Sequence, residues 1–297
     1  MRLQKNIPAL ACIILLTSCQ GNSEQEGNGA AEGRNDLYEL ALEDRTAFAS
    51  RVAAGASSDY ERADAIVTWF AENFDWTYTD YERRTVEEIL ARKGGNCAEL
   101  ARVTTSMLEE LGLHMREVRE VNIHVESERR QRTAREKVAE SGNRMSVFGK
   151  RHNDHVWMEI QDSATGEWFP ADPSLGVVGE RQWLASRLGF GERFSLDPSS
   201  EDMIVPFAIF AKDEAGSLTV IRTSHYVVEG FDGLYSGQLH ALAAWPSWVR
   251  LVVELNDAAL AAFLGEANLH ESEAKIDELA AVYEQLRVQF AELEQGE

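Results

Sequence analysis

The chain has little cysteine, little proline and a shortage of positive charge: three Cys, six Pro, and 29 Lys and Arg against 50 Asp and Glu among 297 residues. Each scarcity excludes something. A formal charge of −21 repels nucleic acid and gives no attraction to anionic lipid, which argues against phosphate-binding roles as well. The apolar run Ile7–Leu16, with Pro8 inside it, is too short to span a bilayer as a mature helix. Zinc-ligand spacing is missing, and the turn Asp162–Glu167 has too few spaced carboxylates for a calcium loop, so no metal and no other cofactor is expected.

The three cysteines have different expected fates. Arg2 and Lys5 precede the apolar run, which ends in Leu16-Thr17-Ser18-Cys19 and resembles the lipobox of bacterial lipoproteins. That resemblance implies a signal peptide over residues 1–18, lost together with Cys12, and a lipidated Cys19. The mature protein would then be anchored to a membrane of the bacterial cell envelope through its acyl group, facing the periplasm or the surface. An ordinary secreted protein cleaved nearby is the alternative. Residues 19–35, rich in Gly, Glu, Asn, Ser and Gln, read as a flexible tether.

Processing of this kind leaves Cys97 as the one unmodified thiol, with no intramolecular disulfide possible. An unpaired cysteine in an exported protein is either a buried inert residue or a working thiol. Cys97 follows Lys93-Gly94-Gly95-Asn96, and after it Leu100, Ala101, Thr104, Met107, Leu108 and Leu111 recur at helical spacing until Gly112. The thiol therefore sits at a helix N-terminus, where unpaired N–H groups and the macrodipole favour a thiolate. Taken alone, such a cysteine is more often a packed apolar residue.

A second stretch changes the odds. His155-Val156-Trp157-Met158-Glu159-Ile160 and Trp168-Phe169-Pro170-Ala171-Asp172-Pro173 flank a turn-rich centre and predict a β-hairpin. If the pairing centres between Ser163 and Ala164, His155 faces Asp172, a geometry suited to an imidazole held by a carboxylate. A one-residue register change would separate them onto opposite faces. His152 competes, but lies in the polar run Lys150–Asp154.

Gly95-Asn96-Cys97-Ala98-Glu99, the helix to Leu113, His155–Glu159 and Trp168–Pro173 together resemble the core motifs of the transglutaminase-like superfamily, in order and spacing, from about Ala63 to Pro173. The resemblance implies a papain-like α+β fold, with N-terminal helices and an antiparallel sheet. It implies attack of Cys97 on an amide carbonyl, His155 as acid/base and Asp172 as orienting carboxylate. Trp76 is a candidate oxyanion donor through its indole N–H, although an aromatic there is more often core. The substrate class would be a peptide or protein. Hydrolysis is favoured over crosslinking, and a catalytically silent binding or assembly module is the alternative.

Around these motifs, amphipathic helices are expected from Asp36 to near Gly55 and from about Ser58, with a capping box at Thr85–Glu88. Met115–Val125 reads as a strand, and Glu126–Glu140 as a charged surface excursion. Gln182–Phe190 reads as a short helix, Ser195–Ser200 as a loop, and Met203–Ala211 and Leu218–Val228 as strands. Gln238–Ala244 and Trp248–Phe263 are ambiguous, broken by Pro246. Residues 36–230 are assigned to the core domain and 231–297 to a mainly helical extension. Its last helix carries Leu269, Ile276, Tyr283 and Phe290 every seven residues, with Leu279, Leu286 and Leu293 between. That pattern fits either self-association through 269–293 as a coiled coil or a helix docked on its own domain.

Overall fold

The computed structural model describes residues 36–77, 80, 82–124, 136, 147, 149, 152–190 and 204–296. The expected signal, Cys19 and the tether lie outside the described residues, as do 126–140 apart from Glu136 and the loop 195–200. The chain divides into two units, Met1–Glu39 and Leu40–Glu297, and every element from Arg45 onward belongs to the second.

Local chemistry sets the N-terminal helices. Asp44 accepts from the Ala47 N–H and opens α1 (Arg45–Val52), so the helix expected to run unbroken from Asp36 is interrupted there. Ser58 caps α2 (Asp59–Asn73) in the same way. The buried rings of Phe48, Trp69, Phe70 and Phe74 join the two helices, Phe48 and Trp69 meeting edge-to-face at 4.6 Å. After β1 (Asp75–Trp76), the expected capping box of Thr85 and Glu88 starts α3 (Val86–Arg92). Lys93 turns left-handed at φ 54°, and β2 (Gly94–Gly95) pairs in parallel with β1 before α4 (Cys97–Glu110) begins.

The glycine pair is sterically required. A Cβ on Gly94 would lie 2.6 Å from the Asp75 carbonyl oxygen, and one on Gly95 would lie 2.7 Å from Cβ of Glu99. Any larger side chain would push the turn off β1 and move the residue that follows.

Six strands form one antiparallel sheet: β3 (His114–His124), β4 (His152–Gln161), β5 (Trp168–Asp172), β6 (Val177–Val178), β7 (Ile204–Ala211) and β8 (Val220–Ile221), in the order β6-β5-β4-β3-β7-β8. The α+β architecture expected from the sequence is the one found, with helices preceding and following an antiparallel sheet. Between β6 and β7, α5 spans Glu180–Arg187.

Two elements differ from expectation. Leu218–Val228 is strand only at Val220–Ile221; the chain then enters a π-helical segment, Ser224–Gly230, leading into α6 (Phe231–Leu234). Tertiary bonds override the β-prone residues: the Tyr226 hydroxyl donates to Glu159 at 2.6 Å, and the Trp248 indole donates to the Val227 carbonyl. Pro246 does not break structure but sits in the first turn of α7 (Trp245–Leu264), where its missing N–H costs nothing.

Trp245 and Trp248 are core residues. In α8 (Glu273–Gly296), Ile276, Leu279, Tyr283, Leu286 and Phe290 are buried in the core that the sheet shares with α5 and α7, as is Leu269 just before the helix. The heptad face is therefore filled within one chain as far as Phe290, while its last position, Leu293, is exposed, as is Val288 outside the face. Among the described residues, no helix is long and apolar enough to cross a membrane.

Two buried carboxylates are held by arginines under the sheet. Glu159 accepts from Arg116 at 2.7 Å, Arg222 at 2.8 Å and Tyr226. Glu120 accepts from Arg187, from the Trp157 indole at 3.0 Å and from the Asn122 amide.

Candidate active site

Cys97 is the first residue of α4 and is half-buried. Asn96 places it: its side-chain oxygen accepts from the N–H groups of Ala98 at 3.0 Å and Glu99 at 3.1 Å, while Glu99 reaches back to the Asn96 N–H at 3.0 Å. The capping box leaves the Cys97 N–H, among the first-turn donors, outside these bonds. The fourteen-residue helix behind it sets the positive end of its dipole at the sulfur.

His155 and Asp172 come from neighbouring strands. The imidazole Nε2 lies 2.7 Å from Asp172 Oδ2, and Asp172 Oδ1 accepts from the Ser174 N–H at 3.0 Å. Both side chains are buried. Their register is not the one expected. Met158 pairs with Ala171 and Gln161 with Trp168, which centres the hairpin between Ala164 and Thr165. Moving the centre by one residue moves each partner by two, so His155 and Asp172 become diagonal neighbours on the same face instead of direct partners. The Asp162 side chain explains the shift: it accepts from the N–H groups of Ala164 and Thr165, and its backbone closes the turn with Glu167 and Gly166.

With Nε2 committed to Asp172, Nδ1 is the ring nitrogen left for Cys97. Burial works against a charged ring, but the carboxylate of Asp172 and its hydrogen bond, followed by hydrogen bonding and charge from Cys97, raise His155 to about 10. The ring is thus protonated across the neutral range, as an imidazolium facing the Cys97 sulfur. The linkage sign follows: a His raised in the folded state adds stability that is complete below its unfolded value, near 6.5, and is lost as pH rises through about 10. Replacing Asp172 with Asn removes the largest raising influence. The alkaline limb of any His155-dependent rate is expected to fall from near pH 10 toward the ordinary imidazole range, with a rate loss on the order of 10²–10⁴-fold. A pH–rate profile with the limb unmoved would contradict this assignment.

Trp76 is also brought to this place. It is half-buried in β1 and pairs with Gly95, two residues before Cys97. His152, expected in a polar run, is buried instead at the start of β4, and its ring sits 5.8 Å from that of His270. Desolvation, then His270, lowers it to about 4, so it is neutral, and among the described residues its ring nitrogens have no hydrogen-bond partner. The absent side chain of Gly149 makes room for it, since a Cβ there would lie 1.8 Å from the ring. Among the described residues, no three His, Cys, Asp or Glu side chains converge as a metal site.

Sequence reasoning missed the ion network behind Cys97. Glu99, two residues after Cys97, is 2% exposed and meets Arg84 Nη1 at 2.7 Å and Arg92 at 3.5 Å. The available signal was the Asn96-x-x-Glu99 capping spacing with two arginines upstream.

Residues 46–173 match the family model of the transglutaminase-like superfamily. No curated protein matches the chain. Among solved structures, it is similar to a candidate cysteine protease from Cytophaga hutchinsonii, at 12% identity and a TM-score of 0.31, over 61% of this chain and 49% of that one. The match thus spans about half the length of that structure's chain.

Proposed function

We propose that the transglutaminase-like core at residues 46–173 is a thiol acyl-transfer site acting on amide bonds of peptides or proteins, with water as the preferred acceptor. The observation that carries this reading is the buried His155–Asp172 pair at 2.7 Å, with Cys97 on the other side of the ring.

The chemistry follows from the geometry. The Cys97 thiolate forms a bond to the carbonyl carbon, and the carbonyl electron pair moves onto oxygen. That oxyanion is met by the Cys97 N–H and by the Trp76 indole, the second donor in this reading. Collapse breaks the C–N bond, and the leaving amine takes its proton from the His155 imidazolium, leaving a thioester. The neutral ring then removes a proton from water, the new oxygen attacks the thioester, and collapse returns the thiolate, the imidazolium and a free carboxylic acid. An amine in place of water gives a crosslink. Asp172 keeps one ring tautomer and supports the charged form.

A screen of peptide amides with and without added primary amines tests the reaction. Release of free acid with no amine adduct by mass spectrometry supports hydrolysis. Dominant amine incorporation would make the protein a crosslinking enzyme, and no Cys97-dependent product from either would leave the silent-module reading.

The same proposal places the core outside the cytoplasm on an acyl anchor at Cys19. The lipobox-like Leu16-Thr17-Ser18-Cys19 after a short apolar run supports it. Expression in a bacterial host should yield a mature protein whose intact mass includes acyl chains on residue 19; an unmodified Cys19 refutes it.

A further inference from the structure

The turn that presents Cys97 is held by a carboxylate that works against it. Glu99 must accept the Asn96 N–H to fix the turn, yet a bare negative charge two residues from the sulfur opposes the thiolate. We propose that Arg84 and Arg92 are positioning residues that shield the nucleophile, neutralising Glu99 so that it can hold the turn without opposing ionisation of Cys97. This rests on the reading of Cys97 as the nucleophile.

The geometry is specific to that task. Arg84 Nη1 donates to Glu99 Oε1 at 2.7 Å, and its two terminal nitrogens also grip Asp80, at 2.9 and 2.6 Å. Arg92 Nη1 lies 3.5 Å from Glu99 Oε2 and 3.8 Å from Asp80, and its other terminal nitrogen donates to Thr77 at 3.1 Å. Arg102 Nη1, from the next turn of α4, donates to the Arg84 carbonyl at 2.7 Å and pins its backbone. Two arginines thus face two carboxylates, and the cluster is formally neutral. Asp80 is held down to about 2, chiefly by its hydrogen bonds to Arg84, so its own charge persists through most of the acid range. The charged groups facing this end of α4 are Arg84 and Asp80 from the preceding loop, Arg92 from α3, and His155 from β4 with Asp172 behind it. Gly95 allows the contact, since a Cβ there would lie 3.1 Å from Glu99 Oε2.

The test is the rate of Cys97 alkylation by iodoacetamide as a function of pH, on the full chain lacking residues 1–19. It needs no substrate turnover, so it stands even if the enzyme reading fails. In the Arg84→Met/Arg92→Met double variant the acid limb should move up by about one pH unit, and adding Glu99→Gln should bring it back. A purely structural role predicts a uniform rate loss with an unmoved limb and no rescue by Gln, and that result overturns the proposal. If the double variant does not fold, Glu99→Gln alone decides. It keeps an acceptor for the Asn96 N–H and leaves the arginines in excess, so the limb should move down; an unmoved limb overturns the shield.

Discussion

Cys97→Ala is expected to reduce turnover of any peptide amide by at least about 10⁴-fold and to abolish covalent labelling by an acylating probe. His155→Ala should cost about as much, because in the proposed reaction Cys97 and His155 act as one unit in which neither works without the other. The Cys97→Ala/His155→Ala double variant should therefore be no worse than either single one, a non-additivity that independent contributions would not produce. The expected magnitude comes from the ring itself. In the proposed reaction, the imidazolium raised to about 10 by Asp172 and Cys97 is the proton source for the leaving amine. Steady-state rates of the three variants check this. Substantial activity in Cys97→Ala removes the thiol from the mechanism, and summed losses in the double variant break the pairing.

Arg187→Met is expected to cost about 3–5 kcal/mol of stability while leaving the immediate neighbours of Cys97 intact. Glu120 is fully buried on β3 and, among the described residues, would keep the Trp157 indole and the Asn122 amide as hydrogen-bond partners. A carboxylate in that position loses its counter-charge without gaining water. For a unit of this size, the midpoint of thermal unfolding should fall by roughly 10 °C, measured by circular dichroism at neutral pH. Glu120→Gln in the same chain should recover most of the loss, because the uncompensated charge is then gone. A drop of less than about 3 °C would show that the pair contributes little. Glu120 is also the β3 partner of His155, so the two predictions probe adjacent positions with different readouts.

Much of the architecture was legible because it rests on local chemistry. Ser58, and Thr85 with Glu88, announce helix starts through side-chain oxygens that meet particular N–H groups, and the structure has helices at both. The core helix was readable from its apolar spacing, and the hairpin from two aromatic runs around a polar turn. What was not legible is set by distant partners. Nothing near Ser224 signals a π-helix, because Tyr226 bends toward Glu159 from 67 residues earlier. His152 looked solvated among Lys150, Arg151, Asn153 and Asp154, yet the bare backbone of Gly149 and the ring of His270 enclose it. The hairpin register was misjudged by two residues because Asp162 fixes the turn centre, although the even shift kept His155 and Asp172 on one face. Arg187 and Glu120 are 67 residues apart, a separation over which charge pairing has no sequence period to betray it.

The strand order has a consequence for how the molecule forms. β3 lies between β4 and β7, but β4 returns to it after 27 intervening residues and β7 only after 79. Loop-closure entropy makes the nearer pairing cheaper, so the β3–β4–β5 meander that carries His155 and Asp172 can form from contacts of modest sequence separation. The other edge of β3 stays an unpaired row of N–H and C=O groups until synthesis reaches Ile204 and beyond. A nascent chain stopped short of that point would hold the elements of the site beside an open, adhesive edge. Completion of the C-terminal third is thus what covers the open edge of the sheet, and truncations there should be read first as folding defects.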